Sequence, residues 1–295
     1  MLSFLPAPLK GALSALLIII NTMLCVPPLM VIAFFKVIFQ VKFWQLFTSR
    51  VMIVIAESWI SINNAIMTLT QNIQVDVQGM EGLKYEGWYL VVSNHQSWVD
   101  IPVLQRLFNH KIPFLKFFLK QQLIWVPLLG MAWWALDFPF MKRFTKEYLA
   151  KHPEMKGKDL ETTQRACEKF KYTPVSVMNF VEGTRFTQQK HEQQKSPYNY
   201  LLKPKAGGAA FVLSAMSGHI RTMLDVTLVY DQKQIGFWDF LCGKIKKITI
   251  RVRSIPIPIE MCEGDYENDS VFRERFQAWI AGIWLEKDKL ITSLK

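Results

Sequence analysis

The stretch that decides the fold is Ser93-Asn94-His95-Gln96-Ser97-Trp98-Val99-Asp100. It follows a short β-favouring run at 88–93 and precedes a segment of helical periodicity at 101–108. A loop between a strand and a helix often carries catalytic groups. This loop is therefore the first candidate for a catalytic site.

The polar loop contains a histidine and an aspartate five residues apart. Residues five apart lie about 140° from each other around a regular helix, so the two side chains cannot be in contact if both are helical. They can be in contact if His95 lies in the loop and Asp100 in the first helical turn, with Ser97 as the expected N-cap. The Asp100 carboxylate then accepts a hydrogen bond from one imidazole nitrogen and leaves the other free to take a proton. The nucleophile would belong to the substrate. The alternative is a capping Asp beside a loop His without a catalytic role.

A second candidate segment follows an apolar run at 175–181 that suits a buried strand. The run leads into Glu182-Gly183-Thr184-Arg185, where Arg185 suits a phosphate and Gly183 allows a ligand close to the backbone. The alternative is a strand-ending turn with a surface salt bridge. Further on, Lys205 precedes a glycine pair that opens a helix, so backbone amides and its ammonium suit an anion. Tight helix packing explains the small residues equally well.

The rest of the chain after residue 70 predicts alternating strands and helices. Strands are expected at 73–77, before a turn at Gly79, and at 224–230 and 247–253. We expect an α/β fold with a mixed, largely parallel sheet flanked by helices. Polar stretches at 151–158 and 188–205 are interpreted as surface loops, and an apolar helical face at 272–284 as core packing.

The N-terminal region is apolar and membrane-seeking. The 25 residues between Lys10 and Lys36 carry no charge, and as a helix they reach about 37 Å, enough for one span. Pro27 and Pro28 are expected to interrupt that helix, so a helical hairpin entering one leaflet is an equal alternative. An amphipathic helix is predicted at 43–69. A retained anchor is favoured over a cleaved signal peptide, since no cleavage pattern follows.

These features divide the chain into a membrane-anchoring helical region at 1–70 and an α/β domain at 71–295. Basic residues just after the first apolar segment favour a cytoplasmic position for the α/β domain. We expect the protein to be anchored in a membrane, the bacterial inner membrane, through its N-terminal region.

Composition restricts the class of partner. Hydrophobic residues make up 51% of the chain and the formal net charge is +11, which suits an anionic membrane or a phosphate-bearing substrate. No recognised basic-aromatic module is present, so nucleic acid is not expected as a partner. The five histidines have no ligand spacing and the four cysteines form no C-x-x-C pair, so neither a metal site nor a cofactor is predicted.

With these segments in order, the chain resembles the glycerolipid acyltransferase family typified by 1-acylglycerol-3-phosphate acyltransferase. Asn94-His95 with Asp100 matches the first motif of the family, 180–185 its third, and Lys205 with the glycines a region that often follows. The resemblance covers roughly residues 70 to 235.

The resemblance implies an enzyme that moves a fatty acyl group from acyl-CoA or acyl carrier protein, as co-substrate, to the free hydroxyl of a lysophospholipid. The expected acceptor is 1-acylglycerol-3-phosphate, giving phosphatidic acid, with His95 and Asp100 as catalytic residues. A further motif supplies an Arg for the substrate phosphate, and Arg143 is the expected match, with Lys142 as the alternative. The residues expected at the phosphate are Glu182, Gly183, Thr184, Arg185, Arg143, Lys142 and Lys205.

The chain departs from the family pattern at two places. Val181 stands where the third motif usually has Pro, and 225–228 reads Asp-Val-Thr-Leu where the fourth usually contains Val-Pro. The fourth-motif variant, with Lys142-Arg143, resembles the branch with eukaryotic-type lysophosphatidic acid and lysocardiolipin acyltransferases, so another head group is the alternative. The rival functions are a serine hydrolase, for which no G-x-S-x-G elbow occurs, and a non-catalytic lipid-binding protein of the same fold.

Overall fold

A computed structural model describes most of the chain. The described residues are 2, 4–141, 151–152, 161, 164–165, 167–168, 170, 173–216, 218–232 and 235–295. The candidates Lys142 and Arg143 lie outside them, as does the loop predicted at 151–158 except for its first two residues.

Two long helices open the chain and pack against each other as an antiparallel hairpin. They are α1, Ala7–Ile38, and α2, Lys42–Thr70. The pairing places Ser14 against Thr70 (Oγ to Oγ1, 2.9 Å) and Asn21 against Asn63 (Nδ2 to Oδ1, 2.8 Å). By length and composition both helices are able to cross a membrane. The helix predicted at 43–69 is confirmed.

Helix α1 continues through Pro27 and Pro28, so the predicted interruption is wrong. A proline removes a backbone donor and crowds the preceding turn, which normally kinks a helix. Here Val26, Leu29 and Ala33 are buried on both sides of the prolines, so packing against other elements stabilises the helix across them. At about 1.5 Å per residue, the 32-residue helix is about 48 Å long.

Six strands form a mixed, largely parallel sheet in the order β1-β8-β7-β2-β6-β3, which confirms the predicted fold class. Every neighbouring pair is parallel except β7 with β8. The strands are β1 (Gln74–Gln78), β2 (Tyr89–Ser93), β3 (Leu115–Phe117), β6 (Ser176–Asn179), β7 (Thr222–Tyr230) and β8 (Lys247–Pro256). A separate parallel pair consists of β4 (Leu119–Lys120) and β5 (Phe140–Met141).

Helices cover both faces of the sheet, and the central strand β2 is buried throughout. After the hairpin, the described residues form helices α3 (Asp100–Phe108), α4 (Leu129–Ala135), α5 (Gln188–Gln193), α6 (Gly207–Ala215), α7 (Phe237–Leu241) and α8 (Ser270–Leu294). Val91 packs into the core beneath α1 to α4 and α7, whereas Leu90 and Val92 pack into the core beneath α6 and α8. The apolar face predicted in the last helix is largely buried, as expected.

Helix α5 lies inside the stretch predicted as a loop at 188–205, so that prediction is wrong in its first third. No residue of α5 is buried, and a helix without an apolar face leaves no periodic signal. Thr187 caps the helix, accepting a hydrogen bond from the Lys190 backbone N–H at 3.3 Å.

The boundary predicted between 1–70 and 71–295 falls in the short connection from α2 to β1. The hairpin shares one hydrophobic core with the sheet. The division into two domains therefore stays a prediction.

Candidate active site

The candidate site lies at the carboxyl ends of three neighbouring strands. Strand β2 is parallel to β6, with Val92 opposite Asn179, and parallel to β7, with Ser93 opposite Val226. Chain segments that follow parallel neighbours leave the sheet at the same edge. The loop after β2 and the turn after β6 are consequently side by side.

Asn94 anchors the loop to β7. Its Nδ2 donates to the carbonyl of Leu228 at 2.9 Å, and its Oδ1 accepts from the Leu228 N–H at 2.9 Å. The Gln96 side chain donates to the same carbonyl at 2.7 Å. The backbone on each side of His95 is thereby held to the sheet.

The predicted contact between His95 and Asp100 is present. Nδ1 of His95 lies 2.8 Å from Oδ2 of Asp100, the first residue of α3. The imidazole is 13% exposed and the carboxylate is fully buried. A hydrogen bond from Nδ1–H to the carboxylate leaves Nε2 as the proton acceptor of a neutral ring. The arrangement suits a general base that is reached from outside.

Three further donors hold the Asp100 carboxylate. The backbone N–H groups of Gln96 and Ser97 donate to Oδ2 at 2.6 and 2.9 Å, and the hydroxyl of Tyr230 donates to Oδ1 at 2.6 Å. Burial and the neighbouring carboxylate raise the pKa of Tyr230 well above its ordinary value, so the phenol stays a neutral donor. No sequence signal pointed to this tyrosine, which lies far from the loop along the chain.

Ser97 is not the N-cap of α3, so that prediction is wrong. The helix begins at Asp100 and Val99 occupies the N-cap position. The Ser97 hydroxyl instead donates to the carbonyl of Ile235 at 2.7 Å and accepts from the Val99 N–H at 3.2 Å. It ties the loop to the segment before α7.

Phe180, the first residue after β6, forms one wall beside the histidine. Its ring stacks on the imidazole of His95, with centroids 3.9 Å apart and planes at 15°. The Phe186 N–H donates to the His95 carbonyl at 2.7 Å. The two loops are therefore joined through a side chain and through the backbone.

The turn at 182–185 is tight and carries polar groups. Gly183 has a φ of +70°, a conformation that favours glycine, and its N–H donates to the Phe180 carbonyl at 2.8 Å. The guanidinium of Arg185 is exposed and lies 5.1 Å from the ring centroid of Trp98. This places a cation on the outer side of the His95 loop.

Two lysines add positive charge to this turn. A Cβ added at Gly183 would lie 3.6 Å from Nζ of Lys205, so that ammonium crosses over the glycine. Nζ of Lys190 donates to Oγ1 of Thr184 at 2.8 Å and to the carbonyl of Arg185 at 3.0 Å. Lys190 was missed because it lies in the polar stretch interpreted as a loop. Three cations surround one turn, an arrangement that suits a phosphate.

Glu182 does not face this cationic surface, because its side chain is fully buried. Burial raises the pKa of Glu182 to about 8; the nearby backbone of Leu202 and the charge of Lys287 oppose the rise, and the charge of Asp100 adds to it. Neither carboxylate oxygen has a hydrogen-bond partner of good geometry among the described residues. The predicted role of Glu182 as a direct phosphate ligand is therefore not supported by its position.

The unusual segment at 225–228 contains a buried charge. Asp225 is fully buried and pairs with Arg253 on β8 (Oδ2 to Nη2, 2.7 Å) and with Lys287 on α8 (Oδ1 to Nζ, 2.7 Å). Lys287 also donates to the carbonyl of Val226. Two cations from later elements thus neutralise this buried carboxylate.

An apolar cavity of about 750 Å³ lies between the hairpin and the sheet. Ile18, Leu29 and Trp59 line it from the hairpin. Trp98 and Phe117 also line the cavity. The ring of Phe117 stacks on the ring of Phe180, which lies beside the histidine, with centroids 6.2 Å apart. The cavity is within the range of ligand pockets, about 300 to 1,000 Å³. The cavity leaves no pattern in the sequence, because its walls come from segments distant in the chain.

The structure brings together most of the residues that the sequence singled out. His95 and Asp100 are in contact, and Gly183, Thr184 and Lys205 lie in one cationic turn, followed by Arg185. Glu182 lies behind this turn and not on its surface. Lys142 and Arg143 remain predictions.

Comparison with known proteins gives a family by sequence and a matching fold by structure. The model of the family described as Acyltransferase matches residues 74–231, more than half of the chain. A mouse protein named 1-acyl-sn-glycerol-3-phosphate acyltransferase gamma is 27% identical over 180 residues, covering 58% of this chain and 43% of the relative. Arabidopsis thaliana 1-acyl-sn-glycerol-3-phosphate acyltransferase 3 is 27% identical over 177 residues, covering 55% and 43%. The matched region thus spans less than half the length of these relatives.

The fold resembles a solved structure, the 1-acyl-sn-glycerophosphate (LPA) acyltransferase PlsC from Thermotoga maritima. The two superpose with a TM-score of 0.53 at 15% identity, over 94% of this chain and 97% of the other. The likeness includes the apolar N-terminal helices as well as the sheet. Because the family model matches more than half of its residues, the chain belongs to the Acyltransferase family.

Proposed function

We propose that this chain transfers a fatty acyl group from a thioester to the free hydroxyl of 1-acylglycerol-3-phosphate, giving phosphatidic acid. The observation that carries the proposal is the contact between His95 and Asp100, close to both an apolar cavity and a turn with three cations. The names of the relatives support the choice of acceptor.

In the proposed reaction, His95 acts as general base. Nε2 takes the proton of the lysolipid hydroxyl while its oxygen attacks the thioester carbonyl. The C–S bond then breaks, and the imidazolium returns the proton to the leaving thiolate. Asp100 stabilises the imidazolium and fixes the tautomer. A positioned base of this kind contributes about 10² to 10⁴ in rate, and the step needs no acyl-enzyme, metal or organic cofactor.

We assign the phosphate of the acceptor to the cationic turn and the fatty chain to the apolar cavity. Arg185, Lys190 and Lys205 hold the phosphate of the acceptor. The apolar cavity takes a fatty chain, because its wall reaches Phe117, which contacts Phe180 beside the base. Arg143 remains a further expected phosphate ligand, with Lys142 as the alternative.

The hairpin provides the membrane contact. Near its beginning, α1 lies against Trp238 of α7, where a Cβ added at Gly11 would be 3.1 Å from the indole. Near its end, Nζ of Lys36 forms an ion pair with Oδ2 of Asp137 at 2.6 Å. These contacts are about 37 Å apart along the helix. A helix that is in contact with the α/β domain over this length enters one leaflet side-on more readily than it crosses the bilayer. The cytoplasmic side and the bacterial inner membrane remain predictions.

The function is tested with the full chain in lipid vesicles. Labelled acyl-CoA or acyl carrier protein thioester is supplied with lysolipids of different head groups, and products are identified by mass spectrometry. We expect phosphatidic acid and free thiol in equal amounts when 1-acylglycerol-3-phosphate is the acceptor. Free fatty acid without diacyl lipid would indicate a hydrolase, and an unconsumed thioester would indicate a lipid-binding protein. Either result overturns the proposal.

A further inference from the structure

We propose that Tyr230 is a positioning residue of this active site, whose buried hydroxyl holds the Asp100 carboxylate in place against His95. The proposal rests on the proposed function for its kinetic consequence. Its structural basis is independent of that function.

The partners of Asp100 are divided unequally between its two oxygens. Oδ2 accepts from Nδ1 of His95 and from the backbone N–H groups of Gln96 and Ser97. Oδ1 accepts from the hydroxyl of Tyr230 at 2.6 Å, its one hydrogen-bond partner among the described residues. Asp100 is fully buried, so bulk water does not substitute for that donor. The orientation of the carboxylate about its last torsion depends on this side chain.

The sheet fixes the position of the hydroxyl. Tyr230 is the last residue of β7 and pairs with Ile248 in the antiparallel ladder with β8. Its side chain is almost completely buried. A rigid strand therefore carries the donor, whereas the other contacts to Asp100 come from the loop that contains the histidine itself.

The loss of this hydroxyl has a definite electrostatic consequence. The titratable groups that face Asp100 in the described structure are His95, Tyr230 and Glu182. Without the phenol, the charge on Oδ1 is no longer compensated, and its attraction for a protonated imidazole increases in this low-dielectric site. His95 then takes up a proton at higher pH. Since only the neutral ring accepts a proton from the substrate, the acid side of the rate profile moves upward in pH.

The test is Tyr230→Phe, which removes one oxygen and keeps the ring. The matched control is Tyr85→Phe, because the Tyr85 hydroxyl also donates to a carboxylate, Oε1 of Glu57 at 2.8 Å, in the contact between α2 and the catalytic part. For Tyr230→Phe we expect kcat to fall roughly tenfold, as for the loss of one hydrogen bond to a charged group, with KM for the lysolipid unchanged. The acid limb of the rate profile should move upward in pH. Tyr85→Phe should keep the kcat and the acid limb of the unsubstituted chain.

A second measurement does not depend on turnover. The full chain with ¹⁵N-labelled histidine in detergent micelles is titrated by NMR, and the His95 signal is identified by its loss in His95→Ala. We expect His95 to take up its proton at higher pH in Tyr230→Phe than in the unsubstituted chain or in Tyr85→Phe. An unchanged titration, even with reduced thermal stability, would mean that Tyr230 only packs the core. Absence of acyl transfer in every chain would overturn the proposed function, and the titration would still decide the role of Tyr230.

Discussion

The imidazole of His95 stacks face to face on the ring of Phe180, with centroids 3.9 Å apart. This contact joins the loop after β2 to the turn after β6, and it continues through Phe117 to the apolar cavity. The flat ring limits the imidazole to one plane while Asp100 limits its rotation. Aromatic pairs of this kind contribute about 0.5 to 1.5 kcal/mol beyond the area that they bury.

We expect Phe180→Leu to lower kcat about two- to tenfold, because the isobutyl group fills the space without holding the plane of the imidazole. KM for the acceptor should change little, since the cationic turn is retained. Phe180→Tyr keeps the stacked ring and is the control. A Leu variant with the kcat of the unsubstituted chain would show that the stacking does not position the base.

Glu182 makes the stability of the fold depend on pH. Burial raises its pKa from 4.5 to about 8, so between these values the folded chain binds a proton that the unfolded chain has released. The contribution of Glu182 to the free energy of unfolding is fully present below pH 4.5 and is lost as the pH rises toward about 8. We expect Glu182→Gln to reduce the loss of stability across this window, measured by urea denaturation from pH 5 to pH 8. The exposed Glu192, replaced by Gln, is the control, and an equal slope in all three chains would contradict this assignment.

The cavity is expected to accept the fatty chain, and its wall on α4 allows a direct test. Ala132 is 8% exposed and lines the cavity. Ala132→Phe fills part of the volume, so kcat/KM for long-chain donors should fall at least about tenfold while short chains are affected less. Met131→Phe on the exposed face of the same helix is the control. If the Phe at 132 lowers the rate equally for all chain lengths, the cavity does not hold the acyl chain.

The outer face of α1 is expected to enter the lipid. Leu24 is 69% exposed in the middle of this helix. An arginine there places a charge at the apolar surface, at a cost of about 2.5 to 3.5 kcal/mol if the site lies deep in the hydrocarbon. Leu24→Arg should therefore reduce vesicle flotation strongly, whereas Val271→Arg, at a residue that is 74% exposed on α8, should not. Equal binding of both variants would exclude this face from the membrane contact.

The sequence predicted the sheet well because its strands carry local signals. The alternation at 73–77 and the apolar runs before Ser93 and Val181 each marked a real strand. The contact between His95 and Asp100 was also predictable, because the two residues are only five positions apart, one in the loop and one at the first position of the helix. Local pattern was sufficient wherever the determining contacts are close in the chain.

The features that the sequence did not predict depend on distant contacts. Tyr230 reaches Asp100 only because β7 lies beside β2, and the burial of Glu182 depends on the segments around Leu202 and Lys287. The continuity of α1 through Pro27 depends in the same way on packing against other elements. Tertiary packing outweighed the local preference in each case.

The central claim is that His95 is the base for acyl transfer, and His95→Ala tests it most directly. The initial rate of phosphatidic acid formation is measured with the full chain in vesicles, with His110→Ala as control, since that histidine is 58% exposed and contacts Glu57. We expect the rate to fall by about 10² to 10⁴ in His95→Ala, with vesicle binding and folding retained, and to be unchanged in the control. A rate in His95→Ala equal to that of the unsubstituted chain would contradict the account.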